Sequence, residues 1–210
     1  MKLYSYWRSS AAYRVRVALN LKNLDYDSVP VHLVRGEQRG AYRERNPQGL
    51  VPALEHDGHI ITQSLAIIDY LDHVFPETPL APVEPLARSR VQALAQIVVA
   101  DIHPLNNLRV RKYLASELQI SKQQQEDWNK HWVEQGFSAI ETLLQDSATG
   151  DFCHGNSPTL ADVCLIPHVY NVRRAEIDMS PYPEIARIDA NCLALEAFDR
   201  AIPEHQPDAD

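Results

Sequence analysis

The sequence predicts a small α/β domain of order β-α-β-α-β-β-α over residues 1–78, followed by an all-helical domain over 86–210. Three observations predict it. Short apolar or alternating runs, bounded by turn residues, are confined to the first part of the chain. Pro76, Pro79, Pro82 and Pro85 then crowd one short segment, as in an extended linker. From Leu86 onward the apolar period is helical and strand patterns stop.

The elements follow in order. Lys2 to Trp7 is a short apolar run, read as a strand, and apolar residues recur at helical spacing from Val15 to Leu21. Ser9 and Ser10 fall at the junction between them. A serine there caps the helix, and the uncapped backbone N–H groups of a helix start favour an anion. Tyr26 to Val34 alternates as a second strand, and Arg35 to Arg45 reads as a polar loop with a short helix. Asn46-Pro47-Gln48-Gly49 is a turn, and Pro52 belongs at a strand start or an edge because it cannot donate to a ladder. His56-Asp57-Gly58-His59 reads as a hairpin turn, Ile60 to Thr62 as the returning strand, and Gln63-Ser64 as the opening of a helix to Phe75. In the second domain, helices are expected over Leu86–Leu118, Lys122–Gln145, Thr159–Arg174 and Tyr182–Ile202, with a loose polar tail from Pro203. Pro104 should kink the first of these. Thr159 and Asp162 have capping-box spacing, which makes Asp162 a structural acid.

Composition narrows the function. With 45% hydrophobic and 23% charged residues this is an ordinary globular chain. A net charge of −8 argues against a nucleic-acid surface, so an anionic ligand needs a local arginine cluster. No run is long and apolar enough to span a membrane, and no leader pattern precedes the first strand, so a cytoplasmic location is expected. Cys153, Cys164 and Cys192 lack metal-ligand spacing and read as reduced core residues; the histidines are scattered, and no metal site is expected. Trp128 and Trp132 read as core or interface.

Ser9-Ser10-Ala11-Ala12-Tyr13-Arg14-Val15-Arg16-Val17-Ala18-Leu19 resembles the zeta-class glutathione transferase signature Ser-Ser-Cys-x-x-Arg-Val-Arg-Ile-Ala-Leu. Val51-Pro52 is similar to that family's cis-proline turn, and Gln63-Ser64 to its γ-glutamyl-binding pair. Asn46-Pro47-Gln48, Asp101-Ile102-His103-Pro104-Leu105-Asn106-Asn107, Thr159-Leu160-Ala161-Asp162, Ser180-Pro181-Tyr182-Pro183 and Gln206-Pro207-Asp208 extend the likeness over almost the whole chain. The resemblance implies a thioredoxin-like first domain that binds glutathione and a helical second domain that supplies the substrate side. Members are chiefly isomerases that convert maleylacetoacetate to fumarylacetoacetate in tyrosine and phenylalanine breakdown. The signature's cysteine is replaced by Ala11, so the nucleophile must be the cofactor's thiol.

Roles follow from the resemblance. Ser9, assisted by Ser10 and nearby N–H groups, would stabilise the glutathione thiolate; Arg8 and Arg174 would bind substrate carboxylates. Val51 would pair with the cysteinyl backbone, Gln63 and Ser64 with the γ-glutamyl carboxylate, and Gln38 with the glycine end. His103, beside the proline kink, and Asn107, one turn later, would touch glutathione or substrate. Arg109 is a third cationic candidate, and Arg173 reads as a solvated charge. The substrate is expected to be a small anionic dicarboxylate and the assembly a homodimer. Three alternatives stay open: maleylpyruvate as substrate, transferase action on α-haloacids, and a non-catalytic glutathione-binding module. The Leu108-Arg109 pair, in place of two arginines, favours maleylacetoacetate over maleylpyruvate.

Overall fold

The structure, a computed structural model, describes residues 1–209. The chain divides into two compact units, residues 1–80 together with the segment from 193 onward, and residues 81–192. The C-terminal segment, grouped by the sequence reading with the helical domain, thus packs in the first unit.

In the first unit, β1 (Lys2–Ser5) leads into α1 (Ser10–Leu21), then β2 (Asp27–Pro30), β3 (Ala53–His56), β4 (His59–Thr62) and α2 (Ser64–Val74). The sheet order is β2-β1-β3-β4, with β1 parallel to β2 and the other pairs antiparallel. The strands are shorter than expected: the Ser9 N–H takes Tyr6 O to close the turn into α1, and the β1–β2 ladder ends with the Val31 N–H donating to Ser5 O at 2.7 Å. Tyr6, Trp7 and Val31 pack in an apolar cluster with Tyr4, Tyr42 and Val51. The short helix expected in the 35–45 loop is instead two 3-10 turns, Glu37–Arg39 and Ala41–Glu44. Asp57 and Gly58 both have positive φ (48° and 79°), the conformation a two-residue hairpin turn requires. α1 is buried along nearly its whole length, Arg14 and Arg16 included. Lys22, just past its end, donates to the carbonyls of Phe75 and Thr78 and pairs with Asp72 at 2.8 Å. This buried ammonium ties the ends of α1 and α2 together.

The second unit contains α3 (Pro85–Gln96), α4 (His103–Asn106), α5 (Leu108–Ser116), α6 (Lys122–Leu143), α7 (Leu160–Arg174) and α8 (Pro183–Leu193). α7 is buried on all sides and packs most closely on α3, so it is the core of this unit. Its capping box is formed: Asp162 Oδ2 accepts from the Thr159 N–H and hydroxyl, and Oδ1 from the Cys153 N–H. Burial raises the Asp162 carboxyl and these donors pull it back, as suits a structural acid. The helix expected over Leu86–Leu118 is broken. Ile97–Ile102 forms a π-helical turn directly before His103-Pro104, and Asn107 is extended. A proline lacks the N–H and crowds the carbonyl four residues back, which a widened turn relieves. α6 can approach that turn only because Gly136 has no side chain; a Cβ there would overlap Ile102 Cδ1 and Cγ1.

The helix expected over Tyr182–Ile202 ends at Leu193, and a separate short helix, α9 (Glu196–Asp199), follows in the first unit. The tail from Pro203 is not loose. It forms a 3-10 turn, Pro203–His205, and Gln206 donates to the carbonyls of Arg200 and Ile202. No helix among the described residues is long and apolar enough to cross a membrane.

Candidate active site

Two helix N-termini organise the expected glutathione-side residues. Ser9 is the N-cap of α1, in extended conformation, and its Oγ accepts the Ala12 N–H at 3.2 Å. A serine hydroxyl also carries one hydrogen to donate, so capping leaves that hydrogen for a ligand. The turn from strand to helix is closed by the Ser9 N–H donating to Tyr6 O at 2.8 Å. Ser10 is buried, whereas Ser9 and Arg8 are half-buried. Ser10 is thus less accessible than Ser9 at the helix start where the sequence places both hydroxyls. Arg8 is held in place before any ligand arrives. Its guanidinium lies 4.7 Å from the Trp7 ring centroid, and Nη2 donates to Tyr6 Oη at 3.0 Å.

The second N-terminus is that of α2. Gln63, which precedes it, has φ of 71°, an unusual backbone for a residue with a side chain. Such outliers concentrate where function requires them. Gln63 is exposed and its Nε2 donates to Gln48 Oε1 at 2.7 Å. Ser64 is buried with its Oγ 3.4 Å from Nη1 of Arg14, a fully buried guanidinium. Neither α1 nor α2 carries an acidic residue in its first turn, in contrast to α7 with Asp162. Their helix dipoles are therefore left to favour an external anion.

The segment between these helices supplies the rest. The Val51-Pro52 peptide is cis, as the family resemblance implies, and the Val51 side chain is buried in the Tyr4–Tyr42 cluster. The turn before it is fixed by Asn46, whose Nδ2 donates to Leu50 O and whose Oδ1 accepts the Gln48 N–H. Gly49, at φ of 63°, sits where a Cβ would be 2.8 Å from the carbonyl oxygen of Gln38. Gln38 donates from Nε2 to Leu33 O, while its buried Oε1 has no hydrogen-bond partner among the described residues. An orphaned acceptor in this loop fits a ligand that brings N–H donors, as a peptide does. Ser9, Gln38, Gln63 and the two helix starts without an acidic first turn offer the donors, acceptor and dipoles that suit glutathione: a thiol to ionise, carboxylates and peptide N–H groups.

The other expected residues belong to the second unit. Asn107 Oδ1 caps α5 by accepting the Arg109 N–H, and its Nδ2 lies 3.5 Å from His103 Nε2. Those three therefore cluster at the α4–α5 break, with Arg109 exposed. Arg174 is exposed on the last turn of α7. Arg173 is not merely a solvated charge. Its Nε and Nη2 both donate to Oδ2 of Asp189, a carboxylate nearly excluded from solvent. All three cysteines are buried thiols outside any disulfide, and burial pushes those of Cys153 and Cys192 upward, so neither is a thiolate at neutral pH. Among the described residues no group of His, Cys, Asp and Glu is arranged to hold a metal.

Arg14, Arg16 and Asp208 lie in the family-like stretches, but the sequence assigns them no role. Arg16 is wholly buried: Nε donates to Ala201 O, Nη1 to Ser5 Oγ and Nη2 to Trp7 O. Burial lowers its pKa to about 10, and the three acceptors hold the cation in place. The sole local signal was two charges on the buried stripe of α1, at positions where the helical period calls for apolar residues.

The chain matches the glutathione S-transferase N-terminal domain over residues 3–79 and the C-terminal domain of the same proteins over residues 126–188. A Vibrio cholerae protein described as a probable maleylacetoacetate isomerase is 49% identical, over 99% of this chain and 97% of its own. The holo structure of a maleylpyruvate isomerase, a bacterial zeta-class glutathione transferase, superposes with a TM-score of 0.98 at 43% identity, covering all of both chains. A maleylacetoacetate isomerase of Methylobacterium extorquens AM1, with malonate and glutathione bound, gives 0.96 at 42% identity, again covering all of both chains. The chain is therefore a member of the glutathione S-transferases, in the zeta-class family of maleylacetoacetate isomerases.

Proposed function

We propose that this chain is a glutathione-dependent cis–trans isomerase that converts maleylacetoacetate to fumarylacetoacetate. The observation that carries the reading is Ser9, which caps α1 through its oxygen and keeps its hydrogen for the cofactor's sulfur. Bound glutathione supplies a thiolate that adds to the activated double bond, permits rotation about the resulting single bond, and leaves as the trans double bond forms.

The chain's own groups make that chemistry accessible near neutral pH. A free thiol ionises near pH ~8.5, and a hydrogen-bond donor plus the amide end of a helix favour its anion. Ser9 is the donor, and the N–H groups at the start of α1 are the dipole. The N-terminus of α2, with Gln63 and Ser64, takes the γ-glutamyl carboxylate; Val51 offers its backbone to the cysteinyl peptide as a strand edge would; Gln38 Oε1 accepts an N–H near the glycine end. Arg8, pre-stacked on Trp7, binds the carboxylate nearest the double bond, and Arg174 binds the far one. His103 and Asn107 orient ligand polar groups, and Arg109 adds positive charge beside them. We place the enzyme in the cytoplasm as a homodimer, on the strength of its family.

Maleylpyruvate is the second reading, favoured by the likeness to the maleylpyruvate isomerase structure. Loss of the cis enedione absorbance, followed with and without glutathione for both substrates, tests the two. Faster glutathione-dependent turnover of maleylacetoacetate supports the first; turnover of maleylpyruvate alone moves the substrate assignment; tight glutathione binding with no turnover of either overturns the isomerase.

A further inference from the structure

We propose that Asp208 is a positioning residue, and that the C-terminal segment is a strap that holds the turn carrying Arg8 and Ser9. The inference rests on the reading of that turn as the catalytic one.

Trp7 is gripped on both sides of its backbone by charged groups. Its N–H donates to Asp208 Oδ2 at 3.0 Å, and its carbonyl accepts from Arg16 Nη2 at 3.0 Å. Charge-assisted bonds of this kind are about twice as strong as neutral ones. Both grips trace back to the same segment, since Arg16 Nε also donates to Ala201 O at 3.0 Å. The segment is built to place Asp208. Phe198 and Ala201 are fully buried anchors, and Asn20 of α1 donates to Ala197 O at 2.9 Å. Gln206 then locks the turn by donating to the carbonyls of Arg200 and Ile202, and the Ala209 N–H returns to Gln206 O.

What Trp7 holds is the site itself. Its indole ring is the shelf on which the Arg8 guanidinium rests, and Ser9 follows directly, tied back to Tyr6 O. A shift of the Trp7 peptide therefore moves a substrate-binding cation and the thiol's hydrogen-bond donor together. Displacements of about 1 Å in such groups cost on the order of a hundredfold in rate. Asp208 touches no reacting atom; it acts through Trp7.

The test compares the full-length enzyme with Asp208→Ala and Asp208→Asn. Asparagine's amide oxygen can accept the same N–H without the charge, so it should recover part of what alanine loses. Asp208→Ala should lower kcat about tenfold or more, with KM changing less, by the scale of positioning effects. It should also shift the ionisation of bound glutathione, read by thiolate ultraviolet absorbance, to higher pH. Unchanged kcat and unchanged thiol ionisation, with only a lowered melting temperature, would overturn the proposal, and so would Asp208→Asn matching the alanine loss. Amide hydrogen exchange in the unmodified protein reads the same contact without any variant. A Trp7 amide as slow as those in the middle of α1 supports the strap, and rapid exchange overturns it. If the unmodified enzyme turns over no enedione, the isomerase reading falls, while the exchange and thiol measurements still judge the strap.

Discussion

The hydroxyl oxygen of Ser9 accepts the N–H of Ala12 at 3.2 Å, so one side chain both ends the β1–α1 turn and keeps a hydrogen to give. Ser9→Ala removes both. By analogy with oxyanion donors, kcat should fall roughly 10- to 1000-fold with glutathione still bound. Loss of the cap should cost about 1 kcal/mol of stability, read in a denaturant titration. Ser9→Thr, which keeps cap and donor, should retain most of both.

Arg173 and Arg174 are neighbours with different expected fates. Arg173→Ala leaves Asp189 buried without its two donors, which should cost about 1–3 kcal/mol in chemical unfolding and leave kinetics at permissive temperature unchanged. Arg174→Ala should do the reverse: an unchanged melting temperature and a KM for the dicarboxylate raised by roughly tenfold, the loss of one charge-assisted contact.

Gly136→Ala places a methyl group into Ile102 at the π-helical turn. Overpacking of this kind should cost about 1–3 kcal/mol, and the double variant with Ile102→Val should recover part of it. A melting-temperature cycle over the four proteins measures that coupling.

These residues also mark where local sequence runs out. The Ser9 cap, the Gln63-Ser64 helix start and the Pro104 kink are set by a few adjacent residues and each stands in the structure as the sequence suggests, while the cis form of Val51-Pro52 is what the family resemblance implies. The grip of Asp208 on Trp7 joins opposite ends of the chain, and no periodicity carries such a contact. The buried charges Arg16 and Lys22 break the apolar pattern for partners in distant segments, as the carbonyls of Ala201 and Thr78 show. Strand ends are hidden from local pattern for a related reason. Apolar residues such as Tyr6 and Trp7 continue the apolar run past the point where the ladder stops, and alternation does not mark that point.

Tyr42 gives the first unit a pH limit. Burial raises its phenol from about 10 to about 12, with the hydroxyl donating to Leu50 O at 2.8 Å. Between those values the unfolded chain loses this proton and the folded chain keeps it, so stability must fall as pH rises through that window. Below it, both states are protonated and the group is neutral to pH. Denaturant unfolding across the window should show the fall, and Tyr42→Phe should lessen its slope.

The most direct test of the central claim is the fate of glutathione during turnover. Purified enzyme is given excess maleylacetoacetate and far less than one equivalent of glutathione, and both fumarylacetoacetate and free thiol are measured at completion. The account predicts full conversion with the thiol recovered, since the sulfur that adds also leaves. Conversion that stops when glutathione is exhausted, or that proceeds equally well without it, would contradict it.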